Sequence, residues 1–138
     1  MGSDFLDAHN RHWQDAEKLF QIERWANADH LYGVAAECGL KRLMCVFGMP
    51  FDPNKDIPQD RKDRQHANKI WARYESYRTG HNSGARYSLP ATNPFLNWDI
   101  SQRYADQSQF DQNHVQPHRD GAEEVRHLIH RAKLDGLI

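Results

Sequence analysis

Between Asn27 and Phe47 the chain carries Ala28, Leu31, Tyr32, Ala35, Ala36, Leu40, Leu43, Met44 and Phe47 at helical spacing, with Gly48 and Pro50 just beyond. Apolar side chains thus cover more than half the circumference of one long helix. Such a helix cannot stand in water alone, so it belongs in the middle of a bundle. The remaining segments supply partners. Leu6, His9, Trp13, Ala16 and Phe20 alternate at steps of three and four behind Ser3 or Asp4 as N-cap, which predicts a first helix over Phe5 to Phe20. Ala67, Ile70, Trp71, Tyr74 and Tyr77 form the inner stripe of a third helix capped by Asp60. Asn93-Pro94 reads as the cap and first residue of a short fourth one holding Phe95, Trp98 and Tyr104. A last helix is expected from near Pro117 through Ala122, Val125, Leu128, Ile129 and Ala132 to Gly136. Pro50, Pro53 and Pro58 make Met49 to Gln59 a loop, and Thr79 to Asn93 is a second long one.

These patterns predict an all-α fold: one domain over residues 1–138, an up-and-down bundle of about five helices. No strand alternation and no glycine-rich phosphate loop occur, which excludes a Rossmann-type enzyme. Lys plus Arg (18) nearly balances Asp plus Glu (19), so any nucleic-acid contact has to be local rather than a matter of bulk charge. No apolar run approaches the roughly 18 residues of a membrane span. Cys38 and Cys45 stand about 10 Å apart along one helix at about 1.5 Å per residue, too far to pair. With no signal peptide ahead of the first helix, the expected location is the cytoplasm.

The run Arg24-Trp-Ala-Asn-Ala-Asp-His-Leu-Tyr-Gly-Val-Ala-Ala-Glu-Cys-Gly-Leu-Lys-Arg-Leu-Met44 resembles the second helix of HEPN domains. Arg11 to Phe20 resembles that family's first helix, and Ile100-Ser-Gln-Arg-Tyr104 its later Arg-Tyr segment. The resemblance implies a HEPN-like bundle, commonly a symmetric homodimer, in an RNA-linked, toxin-antitoxin or defence setting. It also implies partners of two kinds, RNA and a nucleotidyltransferase-type protein, and no cofactor. Catalytic relatives use a metal-independent ribonuclease pair, Arg followed four to six positions later by His. Arg61 and His66 have that spacing here, as do Arg24 and His30. The contexts differ, however: Lys62 follows Arg61, Trp25 follows Arg24, and Ala105 follows Arg103-Tyr104 where relatives often have Pro. Twelve Arg and nine His also produce such spacings by accident, so a binding or scaffold module is the first expectation and an active ribonuclease the second.

Further candidates come from the residues themselves. Glu37 and Lys41, four apart, are expected to form a structural ion pair on the long helix. His81 and Asn82 lie in the glycine-rich loop, and the resemblance adds Arg103 and Tyr104 of the Arg-Tyr segment. Arg119 and Arg126 share one face of the last helix, a modest basic stripe. His9 with His12, His114 with His118 and Glu124 with His127 have helical ligand spacings, so a metal-binding bundle enzyme, DinB-like or ferritin-like, is the rival reading. A carboxylate-bridged core wants two Glu-x-x-His elements, and only Glu124-Val-Arg-His127 qualifies, so no metal ligand is assigned.

Overall fold

The computed structural model describes residues 1–138 and contains four α-helices: α1 (Phe5–Gln21), α2 (Trp25–Val46), α3 (Ala67–Thr79) and α4 (Gln112–Leu134). The only sheet is a two-stranded antiparallel hairpin, β1 (Phe51–Asp52) with β2 (Ile57–Pro58), which closes the proline-rich loop. No helix is long and apolar enough to cross a membrane.

Three helices pack on α2. Trp13 and Phe20 of α1 lie against Tyr32, Tyr74 of α3 meets Phe47, and Val125 of α4 approaches Gly39. Ala28, Tyr32, Ala36, Leu40, Leu43 and Met44 are inaccessible to solvent and form the spine of the core. The fourth side of α2 has no helix over it, and Leu31, Val34, Cys38 and Cys45 there remain partly exposed. Arg119 and Arg126 face α1. The Arg119 guanidinium donates to both oxygens of Glu17 (2.8 and 2.9 Å) and covers Phe20, while Arg126 covers Trp13 and reaches Asn10. The basic stripe of the last helix is therefore largely spent on holding α4 to α1.

Three elements depart from expectation. Asp60 caps a separate 3-10 turn, Arg61–Arg64, and α3 begins only at Ala67, because Gln65 and His66 are extended. Asn93 accepts a hydrogen bond from the Phe95 amide (2.9 Å), but the chain makes a single turn over 94–97 before a 3-10 turn, Ile100–Tyr104, opens at Asp99. The fifth helix is thus absent. Phe95 and Trp98 are both buried, and the Trp98 indole donates to the Asp29 carbonyl of α2, which holds this segment against the bundle. α4 starts five residues before Pro117, capped by Asp111, whose carboxylate accepts from the His114 amide. Pro117 then stands inside the helix and leaves one carbonyl without its helical donor.

Three of the four helices, α1, α2 and α4, end in one pattern. Gly48 and Gly136 adopt positive φ after α2 and α4, and Met49 and Leu137 each donate back to the carbonyl five residues earlier (both 2.8 Å). α1 ends the same way, with Arg24 donating to Leu19, yet the left-handed residue is Glu23 (φ 62°). A side chain there costs about 1 kcal/mol relative to glycine. Glu23→Gly should therefore raise the urea midpoint by the equivalent of about 0.5–1 kcal/mol; an unchanged or lower midpoint would show that this turn carries no strain.

His9 is fully buried between α1 and α2, its Nδ1 donating to the Ala35 carbonyl (2.7 Å) while Nε2 has no partner. Burial pushes its pKa down to about 4, and the charges of Arg126 and Lys133 act the same way. The unfolded chain, with an ordinary histidine, takes up this proton first. Stability is therefore complete above about pH 6.5 and declines towards pH 4, by about 3 kcal/mol from His9 alone. His9→Asn, which keeps a donor for Ala35, should flatten the profile of unfolding free energy over that window; an equally steep profile would assign the loss to other groups.

Candidate functional site

Two polar clusters lie on α2, one closed and one open. The closed one centres on Asp29, which is inaccessible to solvent. Its position is set by helical period: Asp29, Gly33, Ala36 and Leu40 share the core-facing side of α2. A buried carboxylate needs partners, and three arrive from distant sequence. Oδ1 faces His118 Nδ1 of α4 at 2.5 Å, Oδ2 accepts from Gln102 Nε2 at 2.6 Å, and His114 Nε2 stands 3.8 Å from Oδ2. His118 Nε2 in turn meets Asn97 Oδ1 at 2.8 Å. Phe95 stacks on the His118 ring and Phe110 packs edge-on against His114.

The open cluster centres on Glu37, which is buried but for its edge. Lys41 Nζ donates to Oε1 at 2.7 Å, so the expected ion pair is present, with both side chains about nine-tenths covered. His66 Nδ1 faces the same carboxylate at 3.1 Å, while its Nε2 has no partner in the chain and the side chain is 45% exposed. His66 is at the N-terminal edge of α3, delivered there by the extended Gln65–His66 step. Arg61 is not part of this group: it is exposed on the 3-10 turn and makes no hydrogen bond or ion pair. The structure thus joins His66 to Glu37 and Lys41 rather than to Arg61.

Trp98 ties the Asp29 cluster to His30. Its ring approaches Gly33 so closely that a Cβ there would lie 2.0 Å from it, its Nε1 donates to the Asp29 carbonyl (3.0 Å), and its face stacks under His30 (5.9 Å, 12°). Burial holds His30 below the usual histidine range, and the nearby Arg103 charge adds to this. His12, on α1, is lowered in the same sense by burial and by Arg11. Arg103 lies over the ring of Tyr104 (4.8 Å), and Tyr104 is 79% exposed. Arg103 also borders a cavity of about 220 Å³ with Arg24, Trp25, Asn27, Gln102 and Phe110.

The remaining candidates lie elsewhere. His81 packs on Phe47 at the far end of α2, and Asn82 edges a cleft with Arg86 and Asp135. Glu124 and His127 are both exposed and join no group of converging ligands. Reading the sequence missed Asp29, Asn97, Trp98 and Gln102 as site residues. Only Asp29 had a signal, an acid in register with the apolar stripe of α2.

The Glu37–Lys41 pair makes a quantitative expectation. Lys41→Met leaves a mostly buried carboxylate with only His66 as a cation source and should cost about 3 kcal/mol, whereas adding Glu37→Gln should recover part of that loss. Urea denaturation of the two single variants and the double variant reads the coupling; strictly additive losses would mean that the pair contributes nothing of its own.

In comparisons with known proteins, no family model matches the chain, and neither a curated protein nor a solved structure shows significant similarity to it.

Proposed function

We propose that this chain is a HEPN-like helical module that binds single-stranded RNA, working as a pair of chains as the resemblance implies, on the open side of α2 and the adjoining Arg-Tyr segment. The observation that carries the reading is the exposed Tyr104 ring with Arg103 stacked on it, beside His30 and next to the cavity that Arg24 also borders. An exposed aromatic with a guanidinium on its face is the surface on which an unpaired base stacks, and the two arginines supply local phosphate contacts. The near-neutral charge of the chain is compatible with this, because stacking contributes affinity without a basic coat.

Cleavage is the second reading, and Glu37–His66 favours it. A covered carboxylate fixes Nδ1 of the ring and leaves Nε2 free, which is how a histidine is prepared to exchange a proton with a 2'-hydroxyl. His30, held neutral near pH 7 by burial, is the other base on this face.

One assay tests both. With a fluorescent single-stranded RNA at low salt, the wild type should bind. Tyr104→Ala and Arg103→Ala, both at exposed positions that leave the core intact, should weaken binding by about tenfold or more. Failure of the wild type to bind, or equal affinity in all three, refutes the RNA reading. Incubation in EDTA decides cleavage: activity lost in His66→Ala assigns it to this face, and equal activity in both proteins, or none, removes it.

A further inference from the structure

The Asp29 cluster has no part in the RNA reading, and it has a property the open face lacks. Among the histidine, cysteine and carboxylate groups of the chain, Asp29, His114 and His118 form the one group of three whose donor atoms all lie within 4.8 Å of one another. We propose that these three residues bind a divalent first-row transition ion of the zinc class.

The donor set comes first. Two imidazoles and one carboxylate are the ligands such ions take, with a fourth position left to water. The elements deliver them in a fixed way: His114 and His118 stand four apart on α4 and so point to one side, and Asp29 meets them from α2. Distances come next. Ligand atoms about 2.0–2.1 Å from a tetrahedral ion lie about 3.4 Å from one another. His118 Nδ1 stands 2.5 Å from Asp29 Oδ1 and His114 Nε2 stands 3.8 Å from Asp29 Oδ2, on either side of that value, and one donor atom from each of the three residues lies within 4.8 Å of the others. Side-chain displacements on the order of 1 Å bring the three donors to that spacing, the ion taking the place of the proton between Asp29 and His118.

The outer partners are already in place. A ligating histidine usually gives its second ring nitrogen to an oxygen, and a ligating carboxylate is itself hydrogen-bonded. Asn97 Oδ1 faces His118 Nε2, and Gln102 Nε2 donates to Asp29 Oδ2. An ion can also reach the group from solvent. The His114 side chain is 30% exposed, Asn97 is at the surface, and Gln102 and Phe110 edge the 220 Å³ cavity. Bound there, the ion would tie α2 and α4 together and, through Asn97 and Gln102, fasten the long connector between α3 and α4.

The proposal stands independently of RNA binding, and its test contains no RNA. Untagged full-length protein, dialysed against chelator and then against buffer, is titrated with Zn²⁺ by calorimetry and with Co²⁺ by visible absorption. One ion per chain, Co²⁺ bands of low coordination number and a raised thermal midpoint with Zn²⁺ are expected. His114→Ala, at a partly exposed ring and checked for helicity by circular dichroism, should weaken Zn²⁺ affinity at least about tenfold. A His127→Ala/His130→Ala control, at exposed positions elsewhere on α4, should bind as the wild type does. Absence of stoichiometric binding by the wild type overturns the site, as does binding that survives His114→Ala but is lost in the control.

Discussion

Enclosure of α2 on three sides is the constraint from which the other features follow. The helix allows its neighbours close because small residues recur along it: Ala28, Gly33, Ala35, Ala36 and Gly39 are all buried. At Gly39 the missing Cβ leaves room for Val125 and the His9 ring, and at Gly33 it leaves room for Trp98. Larger residues at these points would force α4, α1 and the 93–104 connector outward, and overpacking of this kind costs about 1–3 kcal/mol per site. Close approach has a chemical consequence too. It removes water from Asp29 and most of Glu37, so both carboxylates must be satisfied from within the protein, Asp29 by His114, His118 and Gln102 and Glu37 by Lys41 and His66.

How much of this was legible depends on the range of the interaction that decides each element. α2 could be read because a single periodic pattern runs for some twenty residues and ends in glycine. The Glu37–Lys41 pair could be read because both members lie on one helix at a spacing that enforces contact. The region from Asn93 to Pro117 could not. Asn93-Pro94 is a genuine local start signal, and the Phe95 amide does bond to Asn93, but the turn ends at Asn97 and Trp98 is committed to the Asp29 carbonyl, a partner 69 residues away. In the same way Pro117 is a good first residue for a helix, while Asp111 provides a better cap five residues earlier at the expense of one unpaired carbonyl.

The sites divide along the same line. Period places Asp29 on the core side of α2, but nothing local says that Gln102, 73 residues away, and His118, 89 residues away, will complete it. His66 and Arg61 are near in sequence and are separated by the extended Gln65–His66 step, which turns one towards Glu37 and leaves the other in solvent. Spacing along a chain is a guide to proximity only while the backbone stays regular, and here the regular helix begins one residue too late.

Trp98 fastens the 93–104 connector to α2 between the Asp29 cluster and His30. Its indole nitrogen is hydrogen-bonded to the backbone of Asp29, its edge fills the notch at Gly33, and its face supports His30 on the open side. A large ring held at three points has little freedom to turn, so its position is set by the packing on the closed side and is felt on the open side. The connector that carries Asn97, Trp98 and Gln102 is thus fastened to α2 at the Asp29 group, by the Trp98 indole on the backbone and by Gln102 on the carboxylate, with Asn97 on His118. Arg103 and Tyr104 follow Gln102 in the same 3-10 turn, so the burial of Phe95 and Trp98 and these hydrogen bonds fix where the exposed Arg-Tyr pair stands on the bundle.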